Sequence, residues 1–257
     1  LHPVAHSFPT RRSSDLGWAC LDEEMTTQKG DPVNNCEKFI KGWKDKDELV
    51  TPGVGAQGVY VTSSETYSRA AELAEKYDVK THGHLSETRK EVYDCVKKTG
   101  KRPVEILDGA GFLNERLTAS HCVWLTKPEI DILAKRGVSP SHNPTSNLKL
   151  ASGGIAPVPE LLERNANVTL GTDSVASNNN LDMFKEMKLA AMLHANAKWD
   201  ARLVPAQTAL DMATINGAKA LGINAGSIEE GKLADVVITD LSKPHLNPVN
   251  SIVSNIV

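Results

Sequence analysis

The segment His82-Gly83-His84-Leu85-Ser86-Glu87 carries two imidazoles two residues apart and a carboxylate three residues beyond the second. Residues two apart on a strand share a face, so His82 and His84 can point the same way while Glu87 falls just past the strand end. A neutral imidazole is a good ligand for zinc or iron, and a carboxylate beside activated water can move protons. By itself an HxH reads equally well as a polar strand end with satisfied histidines. His121 in TASHC, His142 in SHNPTSNLKL and Asp173 in LGTDSVASNNN also close strand-like runs. Any one of them is more simply a cap or a core-satisfying group. Four strand ends delivering polar groups to one face are hard to obtain from structural need alone.

The elements that would position these groups alternate along the chain. Strand-like runs cover 48–55, 79–85, 116–122, 137–142 and 167–173. Between and after them lie helix-period runs at 64–78, 87–100, 103–111, 129–136, 157–165 and 181–196, and one long run at 205–222. Met183, Met187, Ala190 and His194 fall on one stripe of the 181–196 run. Thr62 with Glu65 and Thr126 with Glu129 have capping-box spacing, and Gly100, Gly137 and Gly222 stand where helices should close. Strands alternating with helices predict an α/β chain of parallel βαβ units, either an open doubly wound sheet or a (β/α)8 barrel. Polar residues at the C-terminal strand ends select the barrel, and no GxGxxG follows a first strand. After Gly222 the texture becomes turn-rich. Leu233, Val236, Val237 and Ile238 then read as a short strand opening a small β appendage.

Composition narrows the function classes. The chain has 257 residues, 40% of them hydrophobic, enough for one substantial core. Twenty-nine basic against 32 acidic side chains leave a net charge of −3, and no basic run extends beyond Arg11-Arg12. A nucleic-acid or anionic-membrane surface is therefore not expected. No apolar run reaches the roughly 18 residues of a membrane-spanning helix. The four cysteines form no CxxC pair, which predicts reduced thiols in a cytoplasmic protein. Residues 1–16 (LHPVAHSFPTRRSSDL) lack the apolar region of a secretory signal and read as a non-native or disordered segment. The expected organisation is that segment, a barrel over 17–222, and the start of the appendage over 223–257.

HLSET followed by RKEV, SHCVWL, SHNPTSNLKLASGGIAPVPELL, LGTDSVASNNNLDMFKEMKLAA and GSIEEGKLADVVITD together resemble the amidohydrolase superfamily. The resemblance is to its S-adenosylhomocysteine, 5-methylthioadenosine and 5'-deoxyadenosine deaminase branch. It implies a partial (β/α)8 barrel of the metal-dependent hydrolase kind and one divalent ion, zinc first and iron second. His84 and Asp173 would be metal ligands, with Asp173 also the proton acceptor, Glu87 the proton shuttle and His121 the residue that holds the attacking hydroxide. Gln57, Glu87, Asn143 and Ser146 would meet a small-molecule nucleoside substrate, and His82 would be a structural neighbour. Self-association into a homo-oligomer is a further expectation.

The superfamily's HxH from the first strand has no counterpart here. His121 lies 37 residues after His84, and Asp173 lies 52 after His121, a spacing that suits the fifth, sixth and eighth barrel strands. The expectation is a fragment that starts near the third strand and binds metal weakly. Gln57 stands where many members carry a histidine near the substrate tail, and no arginine lies between Arg12 and Arg69. That favours an uncharged 5'-substituent over the amino-acid tail of S-adenosylhomocysteine. The alternatives are an amidohydrolase acting on another heterocycle, such as guanine or a triazine, and a catalytically silent scaffold on the same fold.

Overall fold

Six strands run side by side in one sheet in a computed structural model that describes residues 14–27, 29–46 and 50–257. They are β1 (Ser14–Ala19), β2 (Val50–Ala56), β3 (Thr81–Leu85), β4 (Leu117–His121), β5 (Ser139–His142) and β6 (Thr169–Leu170). Neighbours in the sheet are neighbours in sequence, and every pair is parallel. Parallel pairing requires a crossover, supplied by helices Pro32–Trp43, Ser64–Tyr77, Arg89–Thr99 with Pro103–Gly109, Lys127–Lys135, and Pro144–Lys149 with Val158–Glu163. Among the described residues β1 and β6 are free edges, so the sheet is an open arc, a partial barrel. Because all strands run one way, all their C-terminal ends share one mouth.

The local signals explain most boundaries. Helix Lys127–Lys135 starts where the Thr126 N–H and hydroxyl both donate to the Glu129 carboxylate, each at 2.8 Å. Helix Arg89–Thr99 stops at Gly100, whose φ of 73° suits a residue without Cβ. The stripe Met183, Met187, Ala190 and His194 is buried in helix Met183–Lys198. Strand β4 is buried at all five positions, as in a strand covered on both faces. No helix among the described residues is long and apolar enough to cross a membrane.

Four boundaries differ from the sequence reading. Strand β1 starts before residue 17, with Ser14, Asp15 and Leu16 in register with Val50, Thr51 and Pro52; an open parallel edge accepts an extended segment beside it. Residues 1–13, and the first two residues of the strand expected at 48–55, lie outside the described residues. The helix expected to be capped by Thr62 is capped instead by Ser63, which accepts from Thr66 N. Thr62 is buried and donates to the Cys20 carbonyl at 3.0 Å, tying the loop after β2 to the end of β1. The long helix at 205–222 is two helices, Ala206–Ala213 and Ile215–Leu221, broken at Thr214 (φ −126°, ψ −89°). There the Thr214 hydroxyl turns back onto the Leu210 carbonyl at 2.7 Å. The strand expected over Leu233–Ile238 does not form, and Leu233, Val236, Val237 and Ile238 are exposed. A strand needs a partner for its backbone groups, and none of the six strands pairs with this stretch.

The core runs beneath the sheet as one cluster that includes Tyr67, Leu85, Leu107, Phe112, Leu117, Leu133, Leu161 and Leu170. The rings of Tyr67 and Phe112 meet edge to face with centroids 5.0 Å apart, joining helix Ser64–Tyr77 to the chain that enters β4. Phe112 is wholly buried, so Phe112→Ala should cost about 3–5 kcal/mol, read as a lower urea midpoint with an unchanged slope. A loss below about 1 kcal/mol would mean that this contact is not central to the core.

Candidate active site

His84 is the penultimate residue of β3, His121 closes β4, and Asp173 follows β6 by three residues. The His84 and His121 rings stack with centroids 5.2 Å apart and 28° between planes. The Glu87 carboxylate oxygen Oε2 lies 3.8 Å from His121 Nε2. Asp173 Oδ2 accepts from the Ser146 hydroxyl at 2.6 Å and Oδ1 from the Ser174 N–H at 2.7 Å. Four non-glycine residues at this mouth have left-handed backbone: Ser86 (φ 50°), His121 (φ 73°), Cys122 (φ 50°) and Asp173 (φ 59°). Such conformations cost non-glycine residues about 1–3 kcal/mol each and concentrate where geometry serves chemistry.

Burial and charge sort the protonation states. Burial, then the neighbouring His121, hold His84 down at about 4 against the pull of Glu87 and Asp173. His121 is likewise lowered, first by burial. Both imidazoles are therefore neutral at pH 7. Burial raises the Glu87 carboxyl, and the Asp173 charge adds to that while His84 opposes it. Burial would also raise Asp173, but the Ser146 hydroxyl, His121 and the Ser174 N–H together hold it below the ordinary carboxylate range. One carboxylate is thus kept ionised while its neighbour is moved toward holding a proton, the separation an acid and base pair needs.

The other expected residues take varied places. Asn143 is buried, and its Oδ1 accepts from the His121 N–H at 3.2 Å. Ser146 is fully buried against Asp173. Gln57 follows the end of β2, where its carbonyl accepts from the Tyr60 hydroxyl at 3.5 Å. His82 shares the His84 face, ring centroids 5.7 Å apart, and its Nε2 bonds the Ser120 hydroxyl at 2.8 Å. His142 turns away from this cluster to a buried contact with His194, Nε2 to Nε2 3.3 Å. A cavity of about 760 Å³ opens beside Glu87 along helix Arg89–Thr99, with Tyr60, Glu91 and Lys98 in its wall.

Two positioning groups escaped the sequence reading. The Glu91 carboxylate accepts from the backbone N–H of Ser86 at 3.2 Å and of Glu87 at 2.7 Å, shaping the turn that presents Glu87. Its signal was the Thr88-x-x-Glu91 spacing, a capping box that the structure forms. Asn147 Oδ1 lies 2.8 Å from His121 Nδ1; no local pattern marks it.

Residues 13–257 match the amidohydrolase family. The chain belongs to that family. It is 49% identical to a 5'-deoxyadenosine deaminase of Methanothrix thermoacetophila over 225 residues, 88% of this chain and 54% of that protein. It is 44% identical to a 5-methylthioadenosine/S-adenosylhomocysteine deaminase of Thermodesulfovibrio yellowstonii over 246 residues, 94% and 56% of the two lengths. An adenosine deaminase from Xanthomonas campestris, solved with bound zinc, superposes with a TM-score of 0.90 at 38% identity, over 95% of this chain and 56% of that one. The chain spans about half the length of the curated relatives it matches.

In kind, the donors of this amidohydrolase chain fit a divalent ion. A neutral imidazole, His84, and an ionised carboxylate, Asp173, are what zinc accepts. In number they are too few for a closed shell: no group of three or more His, Cys, Asp or Glu among the described residues is arranged to hold an ion.

Two measurements follow from this packing. A Cβ on Gly171 would stand 2.6 Å from Asn143 Nδ2 and 3.0 Å from Ser141 Oγ, so Gly171→Ala should cost about 1–3 kcal/mol in urea unfolding. It should also shift the His121 resonances, because Asn143 carries the His121 N–H. The buried His142 and His194 test the electrostatics. His194 is held down at about 4, first by burial and then by Lys198 against Glu160, and His142 lies well below its usual value through burial, His194 and His121. Both are neutral in the fold and free to charge when unfolded. Their contribution is complete above about pH 6.5 and is lost as the pH falls toward 4. The urea midpoint should fall from pH 7.5 to pH 4.5, and less steeply in His194→Gln; an equal fall in both proteins would exclude His194 as a source.

Proposed function

We propose that this amidohydrolase is a metal-dependent deaminase of adenosine-type nucleosides that yields the inosine analogue and ammonia. The observation that carries the reading is the set His84, Glu87, His121 and Asp173 at one mouth, with neutral rings beside one carboxylate held ionised and one whose pKa burial raises. The near 50% identity to a 5'-deoxyadenosine deaminase supports the same class.

His84 and Asp173 are the residues that would hold the ion, with zinc favoured by the zinc-bound relative. A divalent ion lowers the pKa of bound water toward about 7 and so supplies a nucleophile at neutral pH. The protein side of the reaction then divides among the residues present. Asp173, ionised and aimed by Ser146, takes the proton of the attacking water. His121 Nε2 accepts a hydrogen bond from that water and fixes its approach. Glu87 delivers a proton to the ring nitrogen next to the amino-bearing carbon, so that electrons withdraw from that carbon as the water oxygen adds. Asp173 then passes its proton to the amino group while Glu87 takes the proton left on the added oxygen, so that the carbon–nitrogen bond breaks, the carbonyl forms and ammonia leaves.

Gln57 offers a neutral amide near the end of β2, and no arginine lies between Arg12 and Arg69. Gln57 itself gives a carboxylate tail no charge to pair with, and burying such a tail unpaired costs several kcal/mol, which favours 5'-deoxyadenosine or 5'-methylthioadenosine over S-adenosylhomocysteine. Asn143 and Ser146 act behind His121 and Asp173 in this reading rather than on the base, since both are buried against those residues.

Ammonia release from the three nucleosides by the zinc-loaded protein tests the reading. Activity should be highest on the two uncharged substrates; activity on guanine or a triazine alone would replace the substrate class, and none at all would favour a silent scaffold. Glu87→Gln should lower kcat by roughly 10²–10⁴-fold with zinc content unchanged, whereas Asp173→Asn should lower both. Near-normal turnover in Glu87→Gln would remove it as the proton carrier.

A further inference from the structure

Asn147 and His121 are both almost completely buried, 5% and 1% exposed. The Asn147 Oδ1 stands 2.8 Å from His121 Nδ1. A carboxamide oxygen only accepts, so the hydrogen of this contact sits on Nδ1. In a neutral ring that leaves Nε2 bare, and Nε2 is the nitrogen that faces Glu87 at 3.8 Å. The opposite end of the amide, Nδ2, is buried with no hydrogen-bond partner among the described residues. An unpaired buried donor is costly, and a side chain present only to fill space would not need to carry one. Among the described residues, the one hydrogen bond this side chain makes is to His121.

The backbone around it supports the same reading. Asn147 lies in helix Pro144–Lys149, where its N–H donates to the Asn143 carbonyl at 3.0 Å. Asn143 Oδ1 holds the His121 N–H at 3.2 Å, and Ser146 holds Asp173. Successive polar residues of one short segment thus grip the main chain of His121, its ring, and the neighbouring carboxylate.

We propose that Asn147 is a positioning residue that fixes His121 as its Nδ1–H tautomer and so presents Nε2 to the site as an acceptor. With the other tautomer, Nε2 would donate, and it could not receive a hydrogen bond from an attacking water. The kinetic consequence rests on the deaminase reading above; the tautomer does not.

The test is long-range ¹H–¹⁵N correlation of the histidine rings at pH 8, assigned to His121 through a His121→Gln control, with steady-state kinetics beside it. Wild type and Asn147→Asp, which keeps an acceptor, should both show a protonated Nδ1 and a bare Nε2. Asn147→Leu, similar in size with no acceptor, should move the hydrogen to Nε2 or mix the two forms. On 5'-deoxyadenosine it should lower kcat by roughly 10–100-fold with KM changed less than about threefold, and Asn147→Asp should restore part of the loss. A bare Nδ1 in wild type overturns the proposal and needs no folded variant. An unchanged tautomer in Asn147→Leu overturns it as well, whatever happens to activity. If wild type releases no ammonia from any nucleoside yet the tautomer moves as expected, the positioning role stands and the deaminase reading falls.

Discussion

Strand β4 ends in two consecutive left-handed residues, His121 and Cys122, and the mouth of the sheet is organised around that turn. Neither residue is glycine, so the conformation persists only because its surroundings hold it. The Cys122 N–H donates to the Leu85 carbonyl at 3.0 Å and the Trp124 N–H to the Ser86 carbonyl at 2.9 Å, which stitches the exit of β4 to the exit of β3. Asn143 takes the His121 N–H from the β5 side. The turn therefore sets the spacing between the His84 and His121 rings and carries the two neighbouring strand ends with it.

Burial disfavours the charged form of every titratable group at this mouth, and hydrogen bonding decides which one is held charged against it. Asp173 receives the Ser146 hydroxyl and the Ser174 N–H and stays ionised. The hydrogen bonds near Glu87 fall on its backbone, where Glu91 accepts its N–H, so its carboxyl follows the burial trend upward. Two carboxylates at one mouth thus diverge because the side chain of one is supplied with donors and that of the other is not. His142, the strand-end histidine that resembles the others in sequence, is drawn off by His194 into a neutral buried pair.

Relatives of about twice the length share this half of the fold closely, as the TM-score of 0.90 to the zinc-bound Xanthomonas campestris adenosine deaminase indicates. What the described residues contain is the portion of the mouth built by β3 to β6: an aligned set of side chains and the helix segment that orients them. The donor chemistry for a divalent ion is present in His84 and Asp173, while the count of ligands falls short of a full shell.

The alternation of β-rich and helix-period runs, with polar residues at each strand end, was enough to determine a parallel α/β sheet and to bring His84, Glu87, His121 and Asp173 to one side of it. Strand direction follows from crossover connections, and in a parallel sheet direction alone decides which end a residue occupies. The stripe of Met183, Met187, Ala190 and His194 was legible for a similar reason, since helical period translates directly into a face. Contacts between elements far apart in sequence were not legible. Nothing local distinguishes Asn147, which holds the His121 ring, from Asn143, which holds its backbone, and nothing local sends His142 to His194. Ser63 rather than Thr62 caps its helix because Thr62 is claimed by Cys20, 42 residues away. The run of 205–222 has helical period throughout, yet it breaks at Thr214, where the next helix must turn so that Asn216 can reach the Val168 carbonyl beside β6 at 2.9 Å. Periodicity is a property of neighbouring residues, whereas a hydrogen-bond partner is chosen by whichever group the folded chain brings within 3 Å, and that choice belongs to the tertiary structure.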